Sequence, residues 1–446
     1  MSNIGTLSLI AVPGDIERTH FINNPDITFF KSVYRRHTNF SKFLSIEENK
    51  TDAFGETVPY SLGGSIADLL SKVYLQHKIV FTGYVTGSED PNITIYANLG
   101  TNIIAEESDA LKLTIGTNTI FQNSGLYLET KYELMNEMVS SVGTGNGKFF
   151  TVAPSLSIVG NVVKCTNGSH FNYTTLAGGV GGVKIAVGSV PGDTFSTENF
   201  YCVPDFSFNY DYGLAIPLCS LRNTQIDFHV KYKPLDQVMD VKGTPKPKLY
   251  STCIKEYIHL DVEEKKRFIT NSHTYITESY RDTEGGTTGQ IPLSGIAGLV
   301  KYILIVGKPS SETKNVSKSL STPSEVIFTD MNLNIDSNSL NPDNLPREVF
   351  SRLNLYNYFP GGGRDMEEIG VTPTKNRGHL DSICVFPICL HPLNYTQPSG
   401  CISNINSGVK TLSLSFTDLT SPIKIFIVEY NILKISDGQC QKLLGT

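Results

Sequence analysis

Apolar side chains recur at every second residue in one segment after another of this chain. Ile226, Phe228, Val230 and Tyr232 alternate with Gln225, Asp227, His229 and Lys231. Ile258, Leu260 and Val262 alternate with Tyr257, His259 and Asp261. Ile327, Thr329, Met331, Leu333 and Ile335 alternate with Phe328, Asp330, Asn332 and Asn334, and Leu412, Leu414 and Phe416 with Thr411, Ser413, Ser415 and Thr417. Successive side chains of a strand point to opposite faces, so each pattern describes a sheet with one face buried and one wet. Residues 72–85, 109–115, 119–122, 299–306 and 423–435, rich in Val, Ile, Tyr and Phe, also read as strands. Gly116-Thr117-Asn118 reads as a hairpin turn between two of them. Only residues 65–73 and 344–354 read as helices. Many strands and little helix predict an all-β fold of sandwiches or jelly rolls, and no self-similar repeat marks a propeller or solenoid.

The 446 residues allow two or three domains at about 100–200 residues each. Residues 234–249 are rich in proline and lysine and weakly periodic, a linker composition. The expected organisation is therefore an arm over 1–24, a first β-domain over 25–233, a linker over 234–249 and a second β-domain over 250–446. The arm is apolar at Leu7, Leu9, Ile10, Val12, Ile16, Phe21 and Ile22 but broken by Pro13-Gly14, which suits docking better than a free tail.

A net charge of -6 argues against nonspecific duplex binding, which draws on clustered Lys and Arg. No apolar run reaches the ~20 residues of a membrane-spanning helix, and the first residues lack the basic stretch and apolar core of a secretory signal. Cys165, Cys202, Cys219, Cys253, Cys384, Cys389, Cys401 and Cys440 are scattered, with no C-x-x-C pair. Buried free thiols in a reducing compartment are the expectation.

No constellation of catalytic, cofactor-binding or metal-ligating residues emerges. Gly178 to Gly182 does not fit the G-x-x-x-x-G-K-[ST] spacing of a phosphate-binding loop, has no following helix and reads as a turn or mobile loop. His259 with Asp261, and His379 with Asp381, are spaced to share one strand face, where a solvated strand is a better account than a metal. Glu263 to Arg267 reads as a solvated face at a strand end, and Lys31 to His37 as a packing segment rather than a nucleic-acid contact. Sequons begin at Asn39, Asn49, Asn92, Asn167, Asn172, Asn315 and Asn394, about as many as an Asn-, Ser- and Thr-rich chain carries by chance. Residues 140–148, 177–183, 284–289, 309–323 and 360–364 are Gly/Ser/Thr-rich loops.

Asn24 to Phe40 reads NPDITFFKSVYRRHTNF. This resembles the N-terminal signature of the major capsid proteins of nucleocytoplasmic large DNA viruses, roughly N-P-x-I-T-F-F-K-x-V-Y-R-R-x-T-N-F. Tyr212 to His229 resembles the segment that closes the family's first jelly roll, and Tyr257 to Glu278 the segment that opens the second. Pro346 to Pro360 and Gln397-Pro398-Ser399-Gly400 resemble later motifs, in the family's order. Where the family has an S-R-I-D stretch, this chain has Ser403-Asn404-Ile405-Asn406.

The resemblance implies two consecutive antiparallel eight-stranded jelly rolls and homotrimeric capsomers of pseudo-sixfold outline in an icosahedral shell. It implies contacts with neighbouring capsomers, minor capsid proteins and inner-membrane proteins, and no enzymatic activity, cofactor or direct nucleic-acid binding. It places the protein in the virion, synthesised and assembled in the host cytoplasm, with the arm at the capsomer base. The alternative is a minor capsid or vertex paralogue that binds host glycans through its loops.

Overall fold

The computed structural model of the chain describes residues 24, 28, 30–32, 34–63, 66–82, 92–95, 99–101, 103–135, 155–159, 162–166, 183–186, 194–221, 224–241, 244–286, 289–293, 296, 298–308, 326–336, 338–341, 343–360, 382–402 and 411–444. Met1–Asn39 and Phe40–Thr446 are separate compact units. In the first, Phe30, Lys31, Tyr34, Arg35, Arg36 and His37 are exposed.

The second unit winds two sandwiches by one plan. Strand Phe40–Glu48 pairs antiparallel with Lys248–Leu260, which pairs on its other side with Leu69–Phe81. The sheet across the core runs Thr57–Ser61, Ile226–Lys231, Leu111–Ile115, Asn118–Asn123. The plan then repeats. His273–Gly285 pairs with Ile423–Ser436, which pairs with Leu299–Gly307, which pairs with Ile383–Pro387. Its facing sheet runs Gln290–Leu293, Leu412–Phe416, Asp330–Ile335, Asn338–Ser339. In each sandwich the first strand lies beside the last long strand, and that one beside the third. This is the winding of a jelly roll, and its repetition makes a double jelly roll.

Both sandwiches carry strands beyond the eight expected. The first gains Phe195–Thr197, Phe200–Cys202, Ile216–Pro217, Val162–Thr166 and Ser155–Val159 on one sheet, and a separate sheet of Asn92–Ile95, Val183–Ala186 and Met239–Asp240. The pair Phe195–Thr197 and Val162–Thr166 is parallel, so the fold is not purely antiparallel.

The linker expected over 234–249 is not where the sandwiches divide. It holds helix Leu235–Val238 and strand Met239–Asp240 and leads into Lys248–Leu260, the last strand of the first sandwich. The change of sheet falls over residues 261–272, on helix Val262–Thr270. There Asp261 Oδ1 accepts from the Glu264 N–H at 2.8 Å, with Glu263 and Glu264 in the first turn and Arg267 in the last. Cap and charges all favour helix, so Glu263 to Arg267 is helical rather than a strand end.

Two further readings change. Residues expected as helix over 65–73 enter strand Leu69–Phe81, whose alternation is broken by a bulge where Glu256 pairs with Lys72 but Tyr257 with Leu70. The helix expected over 344–354 lies later, as a π-type turn Val349–Leu353 running into Asn354–Tyr358. The Gly116 hairpin forms as expected, with Ile115 opposite Asn118 and Gly116 at φ 62°.

One core fills the first sandwich and continues over Tyr280, Tyr302, Leu304, Phe426 and Val428 of the second sandwich's larger sheet. A second core, with Ile303, Ile305, Ile425 and Ile427, lies inside the second sandwich. That sheet is thus buried on both faces, which is why LVKYILIVG and IKIFIVEY read as apolar runs without alternation, interrupted only by Lys301, Lys424 and Glu429.

Candidate functional site

The helix Gly125–Met135 follows directly on strand Asn118–Asn123. Its first turn is fixed by Ser124 Oγ, which accepts from the Tyr127 N–H at 3.2 Å. Gly125 has no substitute there, because a Cβ would lie 2.3 Å from the Ile104 carbonyl oxygen. Leu126, Tyr127, Leu128, Glu129, Thr130 and Lys131 are all buried, so the helix sits between layers rather than on a surface.

What it meets is the second sandwich. Tyr127 stacks on Tyr280 with centroids 4.4 Å apart and planes 3° apart, and meets Phe426 edge-on at 5.4 Å. Tyr210 stacks on Tyr395 at 4.3 Å. Lys131 Nζ donates to Asp205 Oδ1 and Oδ2 at 2.7 and 2.6 Å, and Tyr127 Oη donates to Asp205 Oδ2 at 2.8 Å. Across the junction Lys131 lies 4.0 Å from Glu278, which is also paired with Lys301. Lys301 donates further to the Asn394 carbonyl at 3.2 Å, and its ammonium lies over the rings of Tyr395 and Tyr430.

Two lysines thus face two carboxylates in a buried aromatic box, in which Glu278 Oε2 and the Tyr302, Tyr395 and Tyr430 hydroxyls have no hydrogen-bond partner among the described residues. Burial alone would pull the Lys131 pKa down, but Asp205 and the neighbouring anionic groups override it and hold it well above the usual lysine range. Burial pushes Glu278 above the usual carboxylate range, against the opposing pull of Lys301 and Lys131. Enclosure on this scale suits a weld between sandwiches, not a reaction with solvent-borne substrate. Backbone-directed bonds extend the weld: Glu278 N–H to Ser207 Oγ at 3.0 Å, Tyr280 Oη to the Ser108 carbonyl at 2.8 Å, and Asn118 Nδ2 to the Cys440 carbonyl at 2.8 Å.

The residues weighed for chemistry do not converge. His259 stacks on Phe43 at 5.0 Å and lies 3.8 Å from Asp68, while Asp261 is spent on the helix cap, so the two do not form a metal pair. Among the described residues no group of three or more His, Cys, Asp and Glu could hold a metal ion. His379, Asp381, Gly178 to Gly182 and the sequons at Asn167, Asn172 and Asn315 lie outside the described residues. Asn49 and Asn394 accept at Oδ1 from the Thr51 and Thr396 N–H groups in local turns at the surface. Cys202, Cys219, Cys253, Cys384, Cys389, Cys401 and Cys440 are free thiols, and burial pushes Cys253 and Cys440 up to about 12, so both are inert. Of the junction residues only Glu278 falls in a recognised segment, as the last residue of Tyr257 to Glu278. The others leave a trace only as charge inside apolar segments, as at Lys301 in LVKYILIVG.

The fold and this junction define a double jelly-roll structural protein of the kind that builds virus shells. Residues 28–266 match the family model for the major capsid protein N-terminus, and the chain belongs to that family. It is similar to the major capsid protein of Pyramimonas orientalis virus, 26% identical over 97% of each chain. It is also similar to the major capsid protein of Paramecium bursaria Chlorella virus 1, 23% identical over 64% of this chain and 54% of the relative. Among solved structures, the quasi-atomic model of the PBCV-1 virus capsid superposes with TM-score 0.60 at 19% identity, covering 93% of this chain and 99% of that one. The Faustovirus major capsid protein superposes with TM-score 0.56 at 11% identity, covering 97% of each. The chain's role is structural, as a capsid protein of a large icosahedral DNA virus.

Proposed function

We propose that this chain is the principal repeating protein of its shell, assembled as a homotrimer of pseudo-sixfold outline. The observation that carries this is the junction: two sandwiches of one winding plan are joined across a buried network of Lys131, Asp205, Glu278 and Lys301. Three such bodies around a threefold axis present six similar sandwiches, and a near-hexagonal outline tiles a flat lattice. The protein is not an enzyme, takes no cofactor and does not bind nucleic acid directly. Its partners are its own copies, neighbouring capsomers, minor capsid proteins and inner-membrane proteins, the last two met by the arm 1–24. It resides in the virion after synthesis in the host cytoplasm. Native mass measurement of the purified protein at micromolar concentration tests this: about three subunits are expected, and a persistent monomer refutes it. Peptide quantification in purified particles separates the second reading, a minor or vertex paralogue, which requires few copies per particle rather than hundreds to thousands.

A further inference from the structure

Inside the chain, the outer face of the sheet built on His273–Gly285, Ile423–Ser436 and Leu299–Gly307 is covered by the helix that follows the first sandwich's Asn118–Asn123 strand. The matching face of the first sandwich, on Phe40–Glu48, Lys248–Leu260 and Leu69–Phe81, has no such helix over it among the described residues. Register sets Ile46, Ile254 and Tyr74 in one row across it and Leu44, Glu256 and Lys72 in the next. Phe40, Leu44 and Ile46 are 56, 60 and 63% exposed, whereas the opposite side of the same strand carries Ser41, Ser45 and Glu47 around Phe43. An edge strand whose apolar side points to water reverses the pattern of a half-solvated sheet. Lys42, paired with Glu256 at 3.2 Å, and Glu48 lie on the same side, so the exposed apolar groups are set among charges, the make-up of an interaction surface with polar surroundings.

The second sandwich holds the complementary piece. Its counterpart of helix Gly125–Met135, the helical segment Val349–Tyr358, follows strands Asn338–Ser339 and Leu345–Pro346. The first helix is buried along nearly its whole length, but this one exposes Leu353 at 53% and Tyr356 at 73%, beside Arg352 and a shallow groove lined by Glu348 and Val349.

We propose that helix 349–358 of one copy docks on the outer face of the 40–48, 248–260 and 69–81 strands of a second copy. The contact repeats between chains the helix-on-sheet packing that joins the two sandwiches within one chain. The two surfaces lie on different sandwiches, so the contact is head-to-tail: every open assembly keeps one free helix and one free sheet until a ring closes. This rests on the reading of the chain as a self-assembling shell protein, and closure at three places six sandwiches in the ring.

The test uses two full-length variants, Leu44→Asp/Ile46→Asp on the sheet and Leu353→Asp/Tyr356→Asp on the helix, with far-UV circular dichroism to confirm folding. Each alone is expected to be monomeric by native mass spectrometry. Mixed in equal amounts they should form 1:1 dimers and no trimer, since one good helix and one good sheet remain to meet. Trimeric wild type with both variants also trimeric overturns the contact and leaves the shell reading standing. Monomeric wild type overturns both. If either variant fails to fold, Leu44→Cys/Leu353→Cys on the otherwise intact protein decides. Oxidation should give a covalent trimer on a non-reducing gel, absent from either single variant, and an uncross-linked product overturns the contact.

Discussion

The rings of Tyr127 and Tyr280 stack 4.4 Å apart with planes within 3° of parallel, one from each sandwich. Tyr127 serves the junction twice, because its hydroxyl also donates to Asp205 at 2.8 Å. The two contributions separate by substitution. Tyr127→Phe keeps the ring and leaves one lobe of Asp205 short of a donor, costing about 1–3 kcal/mol. Tyr127→Ala removes the ring as well, at about 3–5 kcal/mol. Urea unfolding of the two variants should rank them in that order, and equal losses would mean that the stack contributes nothing.

The charges at the junction should be strongly non-additive. Lys301 is fully buried against Glu278, so Lys301→Met leaves a carboxylate without its nearest cation, at about 3–5 kcal/mol. Adding Glu278→Gln removes the orphaned charge and should recover much of that loss. A double-mutant cycle on thermal stability measures the coupling. Additive losses would show that water reaches the pair.

Loop insertion tests where the fold is tolerant. A Cβ at Gly286 would meet nothing within 4 Å, and the residue is exposed at the end of strand His273–Gly285. A short tag after Gly286 should therefore leave oligomeric state and melting temperature unchanged, since closure entropy grows slowly with loop length. The neighbouring Gly285 behaves differently, because its Cβ would lie 2.6 Å from Ile291 Cδ1. Gly285→Val should be destabilising where the insertion one residue later is not, and similar melting temperatures for the two would count against this packing.

How much of this was legible depended on which face of a strand met water. Ile226–Lys231 alternates cleanly in sequence and in burial, because one side is core and the other is partly wet. Leu299–Gly307 and Ile423–Ser436 gave strands but no face, because both sides are buried. The sheet boundary was misplaced for a chemical reason. Prolines 234, 245 and 247 mark a connection within the first sandwich, while the true change of sheet lies on a charged helix whose only advance notice was Asp261 three residues before Glu264. The Asp437-Gly438 pair is a two-residue hairpin signal, with both residues at positive φ and Ser436 opposite Gln439. The junction as a network was not legible, although Glu278 closes a recognised segment, since Lys131, Asp205, Glu278 and Lys301 are brought together only by the fold.

Acid should destabilise the first sandwich through a single buried histidine. His77 is buried, with Nδ1 2.9 Å from the Leu99 carbonyl and Nε2 3.1 Å from Tyr232 Oη. Tyr232 in turn bonds Ser251, which accepts from Tyr60 Oη at 2.6 Å. The chain of bonds is satisfied by a neutral imidazole that donates from Nδ1 to the carbonyl and accepts at Nε2 from the tyrosine. Burial lowers the His77 pKa to about 4, against the weaker raising effect of the backbone carbonyls. An unfolded chain has the ordinary value near ~6.5. Above that value both states are neutral and stability does not depend on this group. As pH falls from about 6.5 towards 4, the unfolded chain takes a proton that the native state refuses, and stability drops by roughly 3 kcal/mol in all. Below about 4 both states are protonated and the loss levels off. Denaturant unfolding at intervals across this window, for wild type and His77→Gln, isolates the contribution as a difference in slope. Parallel curves for the two proteins would mean that His77 takes up its proton as readily in the folded chain as in the unfolded one, and a slope of opposite sign that the native state favours the charged imidazole.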